Sequence, residues 1–294
     1  MRSEAMRKLM YSLSELWEDP KFKYSSIVLG LLIFISILSY FSPYDPYKWY
    51  LLPTNQPPSL RHILGTDGKG QDIFWVLSFS LRNSLMLAVV AAVVSRVIAL
   101  LVGILSGYLG GVVDRLLMTL TDTFIVMPVF PLLLLLSSLI KNYLTPPVLG
   151  LIVGVFSWSG DARVVRSMVL SLREREFMIT SKFSGMTVKE VMVGDLIPYL
   201  LPIISGGFIG SMMGAIGFEV VLSILGFVRV ETPTLGSMFH WMINFQAMLL
   251  GYWWWVLTPI VTAILLFTAL YTLSLSVNEY LDPRTRVQRI VVVK

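Results

Sequence analysis

A charged segment, REREFMITSKFSGMTVKEVMVGDLIPYLLP at residues 173–202, separates two apolar runs that are each long enough to cross a membrane. Because its neighbours belong in lipid, the segment is expected to lie in water on one side of the membrane. A polar segment of this length between two spans predicts contact with another protein.

The composition also indicates a membrane protein. Apolar residues make up 55% of the 294 positions and charged residues only 14%, too few to cover the surface of a soluble domain. The chain has no cysteine, which excludes disulfides and thiolate metal sites. His62 and His240 are its two histidines, too few for most histidine metal cages, so no metal site is predicted.

The sequence contains no catalytic motif. GTDGKGQD at 65–72 includes Gly-Lys but lacks the glycine spacing and the Ser or Thr of a phosphate-binding P-loop. HExxH and GxSxG are absent as well. No catalytic residue is predicted, and an ATP-driven step would have to occur in a partner protein.

The hydropathy pattern predicts an all-α, polytopic membrane protein with six transmembrane helices. Residues 1–23 carry a helical apolar stripe with charges opposite, which predicts an amphipathic segment on the membrane surface. Residues 42–80 are polar and rich in Pro and Gly, which predicts a large loop. The predicted spans are 24–41, 83–107, 116–140, 148–165, 196–226 and 249–277.

The placement of Lys and Arg predicts the orientation. With the N-terminus inside, most of the 23 basic residues fall in inner segments, namely the N-terminal arm, the region after 163 and the C-terminal tail. The chain is therefore expected in the cell (inner or plasma) membrane with both termini cytoplasmic and with 42–80 external.

Three charges lie within the predicted spans: Arg96, Asp122 and Glu219. A charge at mid-bilayer costs about 2.5–3.5 kcal/mol on insertion scales, so each should face protein or water. Two interpretations stay open. The charges form a polar path or a proton relay, or they form internal ion pairs and hydrogen bonds, with Arg96 bound to a carboxylate.

Glycines recur at helical spacing in two spans. Gly103 and Gly107 form one pair, and Gly206, Gly210 and Gly214 form a longer series. Such spacing predicts close approach of another helix, which in the second case belongs either to this chain or to a partner.

Taken together, several motifs resemble the permeases of the dipeptide/oligopeptide family of ABC importers. The likeness covers about residues 24–286 and is greatest to the second of the two permease chains. The motifs are HILGTDGKGQD at 62–72, GYLGGVVDRLLMTLTD at 107–122, REREF at 173–177 with Gly185 and LIPYLLP, Glu219 with LSILGF and TPTLG, and NEYLDPRTR at 278–286.

The resemblance implies a type I ABC importer permease fold, with a core at 81–282, a cytoplasmic coupling loop at 166–195 and a tail at 283–294. It implies a second permease chain, two ABC ATPase subunits, an extracellular solute-binding protein and membrane lipid as partners, and no nucleic acid. ATP and Mg²⁺ would be bound by the ATPase subunits, with no cofactor and no enzymatic activity in this chain.

The resemblance also assigns two sets of residues. The residues implied for contact with the ATPase are Leu172, Glu176, Phe177, Met178, Phe183 and Gly185. Those of the external loop motif are His62, Gly65, Thr66, Asp67, Gly70 and Asp72.

The chain departs from the family's pattern at three places. Ile179, Thr180 and Ser181 stand where the family usually has a glutamate and two alanines. Asp161 stands where an aromatic residue is more frequent, and Gln71 replaces the usual arginine of the external motif.

The expected function is import of short peptides or oligosaccharides. The alternative is a proton-coupled secondary transporter or a channel that uses Asp122 and Glu219. Secondary transporters often contain inverted repeats, and the sequence shows no internal repeat.

Overall fold

The computed structural model describes residues 16–175, 190, 194 and 196–281, which are mostly helical. Among these residues, β-pairing is limited to one isolated bridge between Thr66 and Asp72. The helices are α1 (Pro20–Leu38), α2 (Ile73–Leu109), α3 (Gly111–Val126), α4 (Val129–Ile140), α5 (Pro146–Phe156), α6 (Ser159–Arg173), α7 (Ile197–Ile224), α8 (Leu235–Asn244) and α9 (Trp253–Leu281).

Six crossings of a membrane can be built from these helices. Four are long and apolar enough by themselves: α1 with its 3₁₀ extension to Phe41, α2, α7 and α9. The other two are bent pairs, α3 with α4 at 77° and α5 with α6 at 48°. The first bend occurs at Pro128, whose missing N–H and ring end a helix.

Two predicted boundaries are wrong for local reasons. Residues 73–80 belong to α2 and not to the preceding loop, because Asp72 accepts hydrogen bonds from Phe74 N at 2.9 Å and Trp75 N at 3.4 Å and caps an apolar run. Residues 20–23, predicted to belong to the surface segment, are the first turn of α1, which Asp19 caps.

The long helix α2 is the central element of the packing and contacts α1, α3, α5, α6, α7, α8 and α9. Glycines set its closest approaches, since a Cβ on Gly103 would lie 2.7 Å from Val165 of α6 and one on Gly107 would lie 2.8 Å from Val169. A Cβ on Gly154 of α5 would likewise lie 2.7 Å from the Ala91 carbonyl oxygen. The expected helix contact at the first glycine pair is present.

The second glycine series gives a mixed result. Gly206 of α7 meets Asn278 of α9, where a Cβ would lie 2.5 Å from the amide nitrogen. A Cβ on Gly210, Gly214 or Gly217 would meet no atom of a neighbouring element within 4 Å among the described residues. This part of α7 therefore presents an open strip on the surface of the described chain.

We call the end of the helix bundle that holds the start of α1 and the end of α9 the terminal pole, and the end that holds the loop at 42–72 the loop pole. At the terminal pole, the start of α1 meets the end of α9, with Lys21 Nζ 2.6 Å from Glu279 Oε1. Also there, Arg173 donates to the Tyr108 carbonyl at 3.3 Å. At the loop pole, Lys141 Nζ donates to the Gly226 carbonyl at 2.7 Å.

Replacing Gly103 with leucine should destabilise the fold, because α6 already touches the glycine backbone. Overpacking of this kind costs about 1–3 kcal/mol. The measurement is thermal unfolding of the purified chain in detergent, with Gly30→Leu as the control, since a Cβ on Gly30 of α1 meets nothing within 4 Å. Equal unfolding temperatures for the two variants would contradict the close packing of α2 on α6.

Candidate functional site

The external loop motif folds into a turn closed by Asp67. Its Oδ1 accepts hydrogen bonds from Lys69 N at 3.0 Å and Gln71 N at 2.8 Å. Gly70 lies in the turn at φ 67°, a left-handed conformation that favours glycine. Gly65 before it has φ 74°, and a Cβ there would lie 2.5 Å from the Gln56 carbonyl oxygen. Both glycines are thus required by the backbone of the motif.

The remaining motif residues attach the loop to the start of α2. His62 Nδ1 lies 2.7 Å from Asp72 Oδ2, while the other oxygen of Asp72 caps the helix. Thr66 donates to the Pro53 carbonyl at 2.7 Å. The Gln71 amide, which replaces an arginine of the related pattern, donates to the carbonyls of Pro46 at 2.8 Å and Lys48 at 3.0 Å.

Lys69 connects this loop to α8, a contact that the sequence analysis missed. Its side chain is buried, with Nζ 3.6 Å from Asp67 Oδ2, 5.2 Å from the Trp241 ring centre and 5.9 Å from that of Trp49. Burial raises the pKa of the Asp67 carboxyl and lowers the pKa of the Lys69 ammonium, and the attraction between the two opposes both shifts. The pair and the two tryptophan rings join the loop to α8 at the loop pole.

Most of the tryptophans near the loop serve internal packing. Trp241 packs edge-on against Trp49 at 5.1 Å and donates to the Val230 carbonyl at 2.9 Å. Trp254 donates to the Thr66 carbonyl at 3.3 Å, and Trp255 is buried. Trp253 alone of the three consecutive tryptophans is exposed.

Glu219 is held by three donors, of which two lie at the N-terminus of α8 and one on α7. It is 1% exposed and accepts hydrogen bonds from Thr234 Oγ1 at 2.5 Å, Ser223 Oγ at 2.7 Å and Gly236 N at 3.3 Å. A helix N-terminus favours a carboxylate. A Cβ at Gly236 would lie 2.5 Å from the Glu219 oxygen, so this close approach requires glycine.

The same turn is fastened to α2 from the other side. Asn83 Nδ2 donates to the Pro233 carbonyl at 2.7 Å, and Leu235 N donates to Ser84 Oγ at 3.0 Å. The TPTLG segment thus joins α2, α7 and α8. This network gives Glu219 a structural role in the fold.

Three of the four charged residues of helix α6 form ion pairs, each with a different residue of another helix. Asp161, the departure from the family pattern, accepts from Arg96 of α2 at 2.7 Å. Arg163 pairs with Asp122 of α3. The third, Arg166, forms a two-pronged pair with Asp114 of α3, with both N···O distances 2.6 Å (Nε to Oδ1 and Nη2 to Oδ2).

Arg96 is nevertheless only partly satisfied. Its Nη2 also approaches Ser211 Oγ of α7 at 3.2 Å, and its guanidinium lies over Gly207. Nε and Nη1 have no hydrogen-bond partner among the residues that the structure describes. The geometry gives Arg96, Asp122 and Glu219 three separate sets of partners and brings no two of them together.

Residues 99–287 match the family model described as the binding-protein-dependent transport system inner membrane component. The chain belongs to this family. It is 32% identical to the oligopeptide transport system permease protein OppC of Mycobacterium tuberculosis H37Rv, over 89% of this chain and 90% of that protein.

Two other relatives are permeases of dipeptide and nickel transport systems. The dipeptide transport system permease protein DppC of Bacillus subtilis is 29% identical over 88% of this chain and 80% of its own length. The nickel transport system permease protein NikC of Escherichia coli K12 is 31% identical over 64% of this chain and 68% of its own length. The chain is a multi-pass inner-membrane permease with the type I ABC importer fold, and the predicted all-α fold is confirmed, with four to six candidate membrane spans among the described residues.

Most of the residues implied for ATPase contact, namely Glu176, Phe177, Met178, Phe183 and Gly185, lie outside the described residues. Leu172 is described and is buried at the terminal pole in a cluster with Leu196 and Leu200. Its role in contact with the ATPase stays a prediction.

Removal of the Glu219 carboxylate should destabilise the permease. Glu219→Ala leaves the Thr234 hydroxyl and the Gly236 N–H without an acceptor, at a cost of about 2–4 kcal/mol. Glu219→Gln keeps one acceptor oxygen and should cost less. Thermal unfolding in detergent measures both, with Glu231→Ala, an exposed site, as the control. A proton relay predicts the opposite pattern, in which Glu219→Gln unfolds normally but transport is abolished.

Proposed function

We propose that this chain is the second permease subunit of an ATP-driven, binding-protein-dependent importer of short peptides. The observation that carries the proposal is the end-to-end likeness to an oligopeptide transport permease, which covers 89% of this chain. At that coverage it includes the long loop at 42–72, which lies before the family match at residues 99–287. The dipeptide permease relative supports the same solute class over 88% of the chain.

The proposed path is formed with a second permease chain. The open strip of Gly210, Gly214 and Gly217 on α7 supports this partner, because small residues on a membrane helix allow another helix to approach closely. Within the described residues, no other helix uses that strip.

The terminal pole is proposed to face the cytoplasm and the loop pole the outside. The basic residues of the N-terminal arm and the C-terminal tail support this orientation. In this arrangement the external binding protein delivers solute at the loop pole, where the loop motif, α8 and the Lys69 contact form a firmly hydrogen-bonded surface.

Coupling to ATP hydrolysis is proposed to occur through residues 176–189. The two flanks of this segment are held together at the terminal pole, because Leu172 at the end of α6 packs on Leu196 and Leu200 at the start of α7. Because both ends of the segment are fixed in one packed cluster, the movement of an attached subunit can be transmitted through it to α6 and α7. ATP and Mg²⁺ would be bound by two partner ATPase subunits and not by this chain.

Reconstitution of the full complex tests the solute and the energy source. Proteoliposomes that contain both permease chains and both ATPase subunits should accumulate a labelled tripeptide only when ATP is present on the inside and the binding protein on the outside. A proton gradient without ATP should give no uptake. Uptake of an oligosaccharide in place of the peptide would correct the solute class, and uptake driven by protons alone would overturn the importer assignment.

Single cysteines test the orientation, because the chain contains none of its own. Leu60→Cys in the exposed loop should react with a membrane-impermeant thiol reagent added outside intact cells. Glu174→Cys, exposed at the terminal pole, should react only after the membrane is opened. The reverse pattern would invert the proposed topology.

A further inference from the structure

Helices α3 and α6 carry an exposed polar surface between them, which is unexpected in a membrane protein. The side chains of Asp122 and Arg163 are 57% and 53% exposed although both lie on helices of the bent spans. Arg163 is ten residues before the end of α6 at Arg173, or about 15 Å along the helix. Its neighbour Ala162 packs against Gly103 of α2, so this part of α6 lies alongside a membrane-spanning helix.

Lipid is an unsuitable neighbour for this face. Ionised side chains in membrane segments face the bundle interior, another protein or water, because hydrocarbon does not solvate them. The other side of α3 is apolar and exposed at Leu116 and Leu120, as a lipid-facing or partner-facing surface would be. Helix α3 is therefore amphipathic within a membrane protein, with its charged face toward α6.

Between the two helices lies an open groove of about 520 Å³. Arg115, Thr119 and Asp122 line it from α3 at four- and three-residue spacing, which places them on one face of that helix. Arg163 and Arg166 line it from α6. The groove is thus walled by hydrogen-bonding and charged groups of both signs.

The two ion pairs of the groove differ in exposure and geometry. Asp114 and Arg166 form a two-pronged pair, with side chains 20% and 29% exposed, which suits a fixed brace between α3 and α6. Asp122 and Arg163 form a single contact and are more than half exposed. An exposed ion pair contributes little to stability, so its partners are readily exchanged for other charged groups.

We propose that this groove is filled with water and lines the solute path. Asp122 and Arg163 are specificity-determining residues in it, and they contact the charged ends of a short peptide. When the peptide binds, the ion pair between Asp122 and Arg163 opens. Asp122 then accepts hydrogen bonds from the peptide's ammonium group, and Arg163 donates to the peptide's carboxylate. Asp114 and Arg166 keep the groove open. The solute assignment rests on the proposed importer function, whereas the presence of water in the groove does not.

Cysteine reactivity in the assembled complex tests the groove without any transported solute. The complex is prepared with cysteine-free partner subunits, and Thr119→Cys is compared with Leu120→Cys, the next residue on the apolar side of the same helix. A charged methanethiosulfonate reagent should modify the Thr119 variant at least tenfold faster. Equal, slow modification of both would show a dry face covered by protein and would overturn the proposal.

Transport kinetics test the contact with the peptide ends. Asp122→Asn and Arg163→Gln should each raise the KM for a free tripeptide at least tenfold, with a smaller effect on the maximal rate. The KM for the same peptide with acetylated and amidated ends should change less than twofold. Asp114→Asn should instead lower the unfolding temperature and affect both peptides equally.

The role of Asp122 in peptide specificity and the presence of water in the groove are tested separately. Equal effects of Asp122→Asn on free and blocked peptides would overturn the specificity role. If the wild-type complex transports no peptide, the proposed function fails, while the cysteine comparison still decides whether the groove holds water.

Discussion

Hydrocarbon solvates neither charges nor unpaired backbone groups, and the internal structure of this permease depends on that constraint. Glu219 is accepted in the interior because a helix N-terminus, two hydroxyls and a glycine close around it. Arg96 is accepted because α6 supplies Asp161. Each buried charge therefore fixes one helix against another, and the charges contribute to specificity of packing more than to chemistry.

The two poles differ in how completely they are bonded. At the loop pole, the motif, the Lys69 contact and the TPTLG turn leave α2, α7 and α8 joined by buried hydrogen bonds. Toward the terminal pole, an open cavity of about 700 Å³ lies between α6, α7 and α9, with Asp161, Gly207 and Asn278 in its lining. Within the described part of the chain, Asn278 Oδ1 has no hydrogen-bond partner, and neither do Nε and Nη1 of Arg96, whose guanidinium lies over Gly207. Loosely packed groups of this kind have lower local stability, so relative movement of α6, α7 and α9 is easier at this end.

The external motif illustrates how a sequence pattern can be recognised without its physical purpose. HILGTDGKGQD was identified by likeness, but its residues serve to close a turn, cap α2 and bury Lys69 between two tryptophans. Nothing in the spacing predicts the contact with Trp241, which lies in a helix about 170 positions later. Composition favours an exposed lysine in a polar loop, whereas the folded loop encloses it.

The sequence by itself determined that the chain lies in a membrane, that it is helical and to which family it belongs. These follow from apolar runs of membrane length and from motifs in a fixed order, properties that do not depend on how helices face one another. Only the tertiary structure decided the partners of the intramembrane charges. Arg96 and Asp161 are 65 positions apart, and the pairing depends on the rotation and crossing of α2 and α6, which hydropathy leaves unspecified. The exposed polar face of α3 could not be predicted from the sequence for the same reason. The neighbours that pack around a membrane helix decide which of its faces is buried and which is exposed.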